Sequence, residues 1–111
     1  KKHYPSYAFD LSDEALALLI IATKKVAKIL DKTFPDVSRT GMFFEGFGVD
    51  HVHSKLSPMH GTGDMTKWAP IENKQKVFFD NYPGYLSSHD FERASDEELA
   101  QLAALIRQNS Q

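Results

Sequence analysis

The amino-acid pattern predicts an α+β domain in which an antiparallel sheet is covered by helices. Three observations predict it. Apolar residues recur at three and four between Ser12 and Lys32, two short strand-type runs are joined through Glu45-Gly46-Phe47-Gly48, and a Ser95 to Glu98 capping signature opens a second apolar repeat. The chain has 111 residues, 41% hydrophobic and 25% charged, which suits one domain over residues 1–111 with its own core and no second one.

Each element follows from local chemistry. Residues 1–9 mix polar and aromatic side chains, and Pro5 sets a turn or extended start. Ser12 is a good N-cap, and Asp13 and Glu14 complement the positive end of the helix dipole. Leu16, Leu19, Ile20, Thr23, Ala27 and Leu30 then form one stripe of a helix of about five turns, ended by Pro35. Leu18, Ile21 and Val26 widen that stripe beyond what one sheet face needs, so packing on a partner subunit is expected as well.

Arg39 to Phe44 reads as a strand, Glu45 to Gly48 as a tight turn, and Val49 to Ser57 as a second strand, together a hairpin. Residues 58–70, with Gly61 and Gly63, read as a loop. Lys74 to Tyr82 fits a helical turn or a strand, Tyr82-Pro83-Gly84-Tyr85 a turn, and Tyr85 to Ser87 a short strand. Leu99, Leu102, Ala103 and Ile106 make the inner stripe of a C-terminal helix.

Composition excludes several functions. Thirteen Lys and Arg against fifteen Asp and Glu give a net charge of −2, so no global basic field recruits nucleic acid and any anion site is local. With no cysteine there is no disulfide framework, thiolate nucleophile or Cys-paired zinc site. No apolar run follows a basic start, and none approaches the roughly 18 residues of a membrane span, so no membrane partner is expected and a cytoplasmic location is.

The chemistry concentrates in Asp50-His51-Val52-His53-Ser54-Lys55-Leu56-Ser57-Pro58-Met59-His60-Gly61. In a strand, alternate side chains share a face, so His51, His53 and Lys55 form one row while Val52, Ser54 and Leu56 turn the other way. A row of two imidazoles and an ammonium suits an anion.

This stretch resembles the histidine triad (HIT) family, whose pattern is His-x-His-x-His followed by two apolar residues and often a proline. Here His51-Val52-His53-Ser54-Lys55-Leu56-Ser57-Pro58 carries lysine in the third place. Lys1-Lys2-His3-Tyr4-Pro5, with Asp10-Leu11-Ser12-Asp13-Glu14, is similar to the segment and helix opening that precede the triad. Tyr82-Pro83-Gly84-Tyr85 and Ser95-Asp96-Glu97-Glu98-Leu99 look like the tail of a bacterial branch with His-x-His-x-Lys. In relatives, strands that hold the nucleoside precede the His3 segment, and the resemblance implies that this part of the usual domain is not present here.

The resemblance implies a HIT-like sheet with one long and one C-terminal helix, a homodimer, no metal and no cofactor. It implies a hydrolase acting on a nucleotide at its α-phosphate: a nucleoside phosphoramidate, an adenylylated compound or a dinucleoside polyphosphate. His53 would be the nucleophile that forms a nucleotidyl-histidine, with His51 and His3 orienting it. Lys55 would supply charge to the transition state, amides at Gly46 and Gly48 would bind phosphate, and His60 would meet the leaving phosphate.

Two departures qualify this. Lysine is a poor proton donor near pH 7, and a third residue other than histidine occurs in relatives that transfer the nucleotidyl group, so transfer or phosphorolysis stands beside hydrolysis. Where relatives carry a longer Gly-rich phosphate loop, this chain has Glu45-Gly46-Phe47-Gly48-Val49, and Glu45 should repel phosphate unless it points away. A non-catalytic nucleotide-binding module and a metal protein using His51, His53 and His60 are further alternatives. Plainer readings put His3, His60 and His89 at the surface, Trp68 in the core instead of stacked on a base, and Lys55 in solvent.

Overall fold

A computed structural model describes residues 5–46, 49–67, 80 and 92–110. In chain order they form a single 3₁₀ turn at Ala8–Asp10, helix α1 (Asp13–Thr33), strand β1 (Thr40–Glu45), strand β2 (His53–Pro58) and helix α2 (Asp96–Gln108). Two helices and a two-stranded antiparallel sheet make an α+β arrangement. His3, Gly48, Trp68, His89, the Tyr82 to Tyr85 turn, the Tyr85 to Ser87 strand and all but Asp80 of the 74–82 segment lie outside the described residues.

Helix α1 begins where Ser12 predicts it: the Ser12 hydroxyl accepts from the Ala15 amide at 3.2 Å. It ends where the Phe34 amide donates to the Leu30 carbonyl, one residue ahead of Pro35. The hydroxyls of Thr23 and Thr33 donate back to the carbonyls of Leu19 and Ile29, each at 2.7 Å. Satisfied in this way, both threonines are buried on the helix's inner side.

The hairpin pairs Thr40 with Pro58, Met42 with Leu56, Phe43 with Lys55 and Glu45 with His53. Directly opposed residues share a face, so Thr40, Met42 and Phe44 stand with Pro58, Leu56 and Ser54. That face turns to α1, where Thr40 donates to Asp31 Oδ1 at 2.7 Å. The other face presents Phe43 and Glu45 with Lys55 and His53.

The connection between the strands is longer than the expected turn at Glu45 to Gly48, for a physical reason. The His51 amide closes a three-residue turn on the Val49 carbonyl at 2.7 Å, and the Val52 amide is taken by the Pro5 carbonyl at 3.2 Å. With both donors spent elsewhere, pairing to β1 starts only at His53. Glu45 is therefore a strand residue, and His51 precedes β2 instead of lying in it.

Helix α2 carries the predicted capping box, with Ser95 Oγ accepting from the Glu98 amide and the Glu98 carboxylate accepting from the Ser95 amide. The Ser95 hydroxyl and amide together hold the Glu98 carboxyl below its usual range. The helix meets α1, but its expected stripe is shallow: Ala103 and Ile106 are half-buried, while Leu99 and Leu102 remain exposed. Among the described residues the buried set is small, with Ala8 and Val37 beside the two threonines.

Candidate functional site

The end of the hairpin nearest its connection gathers the triad-like residues. His53 Nε2 lies 3.0 Å from His51 Nε2, with ring centroids 4.5 Å apart and planes at 68°. At that separation one nitrogen donates and the other accepts, so the contact holds one proton. Two imidazolium ions would present two donors and would have to move apart. The turn at Val49 and the clamp on Val52 swing the His51 ring onto the His53 ring, although His51 is not a strand residue.

Lys55 follows on the same face. Its ammonium lies 2.7 Å from Glu45 Oε1 and 5.8 Å from the centre of the Phe43 ring. Both partners of the ion pair are about three-quarters buried, with side chains 26% and 24% exposed. Glu45 thus points at the lysine, so the ammonium is a partnered charge and not a bare one. Glu45 Oε2 is buried and has no hydrogen-bond partner among the described residues, and the same holds for Ser54 Oγ on the opposite face.

The segment ahead of α1 crosses this end of the hairpin. Besides the Pro5 to Val52 bond, the backbone of Ser6 passes so close to Gly46 that a Cβ there would overlap the Ser6 carbonyl. Gly46 therefore serves as a crossing point for the chain.

His60 is placed elsewhere. His53 and Pro58 bound β2, roughly 17 Å apart at the usual strand rise, and His60 lies two residues beyond. Its Nδ1 bonds Asp36 Oδ2 at 3.0 Å, and its ring packs edge-on against Phe34 with centroids 5.3 Å apart. The His60 hydrogen bond holds the Asp36 carboxyl below its usual range against the opposing effect of desolvation, and the Gly61 amide adds to the lowering. Ser38 and Thr62 complete this tie, the Ser38 amide donating to Thr62 Oγ1 at 3.0 Å and the Ser38 hydroxyl to the Gly63 carbonyl at 3.1 Å. The structure brings together His51, His53, Lys55, Glu45 and Gly46, and it leaves His60 out.

The metal arrangement of His51, His53 and His60 is accordingly not assembled, and among the described residues no three His, Asp or Glu side chains gather as a metal-holding group. No helix among them is long and apolar enough to cross a membrane. Two partners escaped the sequence reading. Glu45 as the clasp on Lys55 was accessible in principle, through a hairpin register that pairs position 45 with 53. Asp36 as the partner of His60 had no sequence signal, being 24 residues away in a turn. No family model, curated protein or solved structure matches the chain.

Proposed function

We propose that this end of the hairpin is the active site of a histidine triad type hydrolase that cleaves a nucleotide at its α-phosphate. The observation that carries the reading is the convergence of His51 and His53 through their Nε2 atoms. His51 holds the shared proton and His53 offers the lone pair. A phosphoryl oxygen of the substrate takes over the His51 N–H, which frees the His53 lone pair for attack on phosphorus.

In the first step a bond forms between His53 Nε2 and phosphorus, and the bond from phosphorus to the leaving group breaks. The electron pair departs with that group, which takes a proton from solvent. In the second step water adds to phosphorus, the phosphorus–nitrogen bond breaks with its pair returning to the imidazole, and the water proton is released. The reaction needs no redox partner. Lys55 supplies positive charge to the transition state through an N–H not directed at Glu45. A second reading, transfer of the nucleotidyl group to an acceptor other than water, is favoured by lysine standing in the third triad place, its ammonium engaged by Glu45 at 2.7 Å. Product analysis with added inorganic phosphate separates the two.

A cytoplasmic homodimer belongs to the same proposal. Leu18, Ile21 and Val26 stand 67%, 51% and 46% exposed on α1, which leaves apolar surface for a second copy. Light scattering at high micromolar concentration should give a two-fold dimer, and a monomer only would refute it.

The test of the chemistry is incubation with adenosine 5′-phosphoramidate followed by mass analysis. A nucleotidyl adduct on His53 and release of the mononucleotide are expected. Turnover by His53→Ala within tenfold of the parent would sink the assignment.

A further inference from the structure

Glu45 closes β1 directly opposite His53, on the face that carries Lys55. Its two oxygens have different fates: Oε1 takes the lysine, while Oε2 is buried with no donor among the described residues. A carboxylate that is three-quarters buried is poorly screened by water, and half of this one is uncompensated by hydrogen bonding. The charge on this face can be counted from its named groups. The ammonium and the carboxylate cancel, and the one-proton contact between the imidazoles leaves that pair with at most a single positive charge. The row that looks strongly cationic in the sequence therefore carries far less charge than its three basic groups suggest.

This balance has a consequence for ligands. One phosphoryl group can be held by the imidazoles, which donate the shared proton to it and can take up a second. Each additional phosphate brings negative charge next to Glu45 without a further cation among the described residues of this face to meet it, because the charge of Lys55 is already balanced by Glu45.

We propose that Glu45 is the specificity-determining residue of the site and sets its limit of charge: the site accepts a single phosphoryl group and rejects ligands that extend it with further phosphates. The substrate is then a nucleotidyl compound whose leaving group is neutral or cationic, and dinucleoside polyphosphates are excluded. This rests on the α-phosphate reading above and narrows it.

The experiment is calorimetric titration of the full chain with AMP, ADP and ATP, without added metal, for the parent, Glu45→Gln and Glu45→Asp. For the parent, affinity should fall from AMP to ATP. In Glu45→Gln, ATP should gain about tenfold and AMP about threefold or less, while Glu45→Asp keeps the parent's order because it keeps the charge. Circular dichroism melting of each variant confirms that a folded chain is being compared. The proposal is overturned if the parent binds ATP as tightly as AMP, or if Glu45→Gln leaves the AMP to ATP ratio unchanged. Failure of every nucleotide to bind the parent overturns the α-phosphate reading, and the charge limit with it. Binding in the parent's order with no His53 adduct removes the chemistry but leaves the charge limit standing.

Discussion

The two ends of the β hairpin use histidine in opposite ways. At the end nearest the connection, His53 meets another imidazole, 3.0 Å away on His51. At the far end, His60 meets the carboxylate of Asp36, which also accepts from the Gly61 amide at 3.2 Å, and its ring leans on Phe34. Here the His60 imidazole, bonded to Asp36 and packed on Phe34, ties residues 59–63 to the turn after α1. Two imidazoles in Nε2 to Nε2 contact leave one nitrogen as donor and the other as acceptor, so the pair offers both roles to a ligand. The difference teaches that two histidines of one hairpin can have partners of opposite character, which their places in the sequence do not reveal.

The largest expected effect tests that distinction head-on. On the proposed mechanism His53→Ala should lower turnover of adenosine 5′-phosphoramidate by about a thousandfold or more, since the proposed nucleophile is gone. His60→Ala should leave turnover within about threefold and act on stability instead. Comparable kinetic losses in the two variants would break the comparison, because they would place both ends of the hairpin in one site.

A glycine pair sharpens it on the side of stability. Gly46→Ala sets a methyl group into the Ser6 backbone, which must move or take the Pro5 to Val52 contact with it. Urea denaturation should show a loss of about 1–3 kcal/mol, as for overpacking elsewhere. At the other end, Gly63→Ala brings a Cβ to 3.1 Å from Asp36 Cα and the Pro35 carbonyl, a closer fit than usual but no overlap. The smaller cost expected there is about 1 kcal/mol. An equal or reversed order would show that the crossing at Gly46 is not the tighter one.

The smallest effect concerns pH. The folded Asp36 carboxyl sits below its ordinary value of 3.8, chiefly through the His60 hydrogen bond. A depressed acid contributes stability that is present above the ordinary value and is lost as pH falls through the lowered one. Asp36→Asn should therefore melt slightly below the parent at neutral pH, and the two curves should converge as the pH drops below 3.8. The side chain is exposed, so the gap should be a few degrees at most. A gap that persists unchanged in strong acid would show that Asp36 acts through packing and not through its charge.

How much of this was legible beforehand varies with the range of the interaction. Ser12, Pro35 and the Ser95 to Glu98 box are local devices, and the helices begin and end where these residues say they should, within a residue or two. The alternation in β2 also holds, with Ser54 and Leu56 turned to the α1 side and His53 and Lys55 away from it. The start of β2 was misplaced because the competing acceptor for the Val52 amide is Pro5, far off in the chain. No periodicity within 49–57 carries that information.

By itself the sequence determined the α+β class, both helix caps and the placing of His53 and Lys55 on one face of a strand, because each of these depends on residues within a few positions of one another. Only the tertiary structure decided what those groups are bonded to. Glu45 takes Lys55 across the hairpin, Asp36 takes His60 across 24 residues, and the Pro5 to Ser6 backbone crosses beneath Val52 and Gly46 to bend His51 onto His53. Hydrogen bonds and ion pairs are satisfied by whichever partner the fold brings within about 3 Å, and closing a loop of any length costs only slowly more as it grows. A charged side chain can therefore find its counter-charge anywhere along the chain, and its net effect on a ligand is set only when that partner arrives.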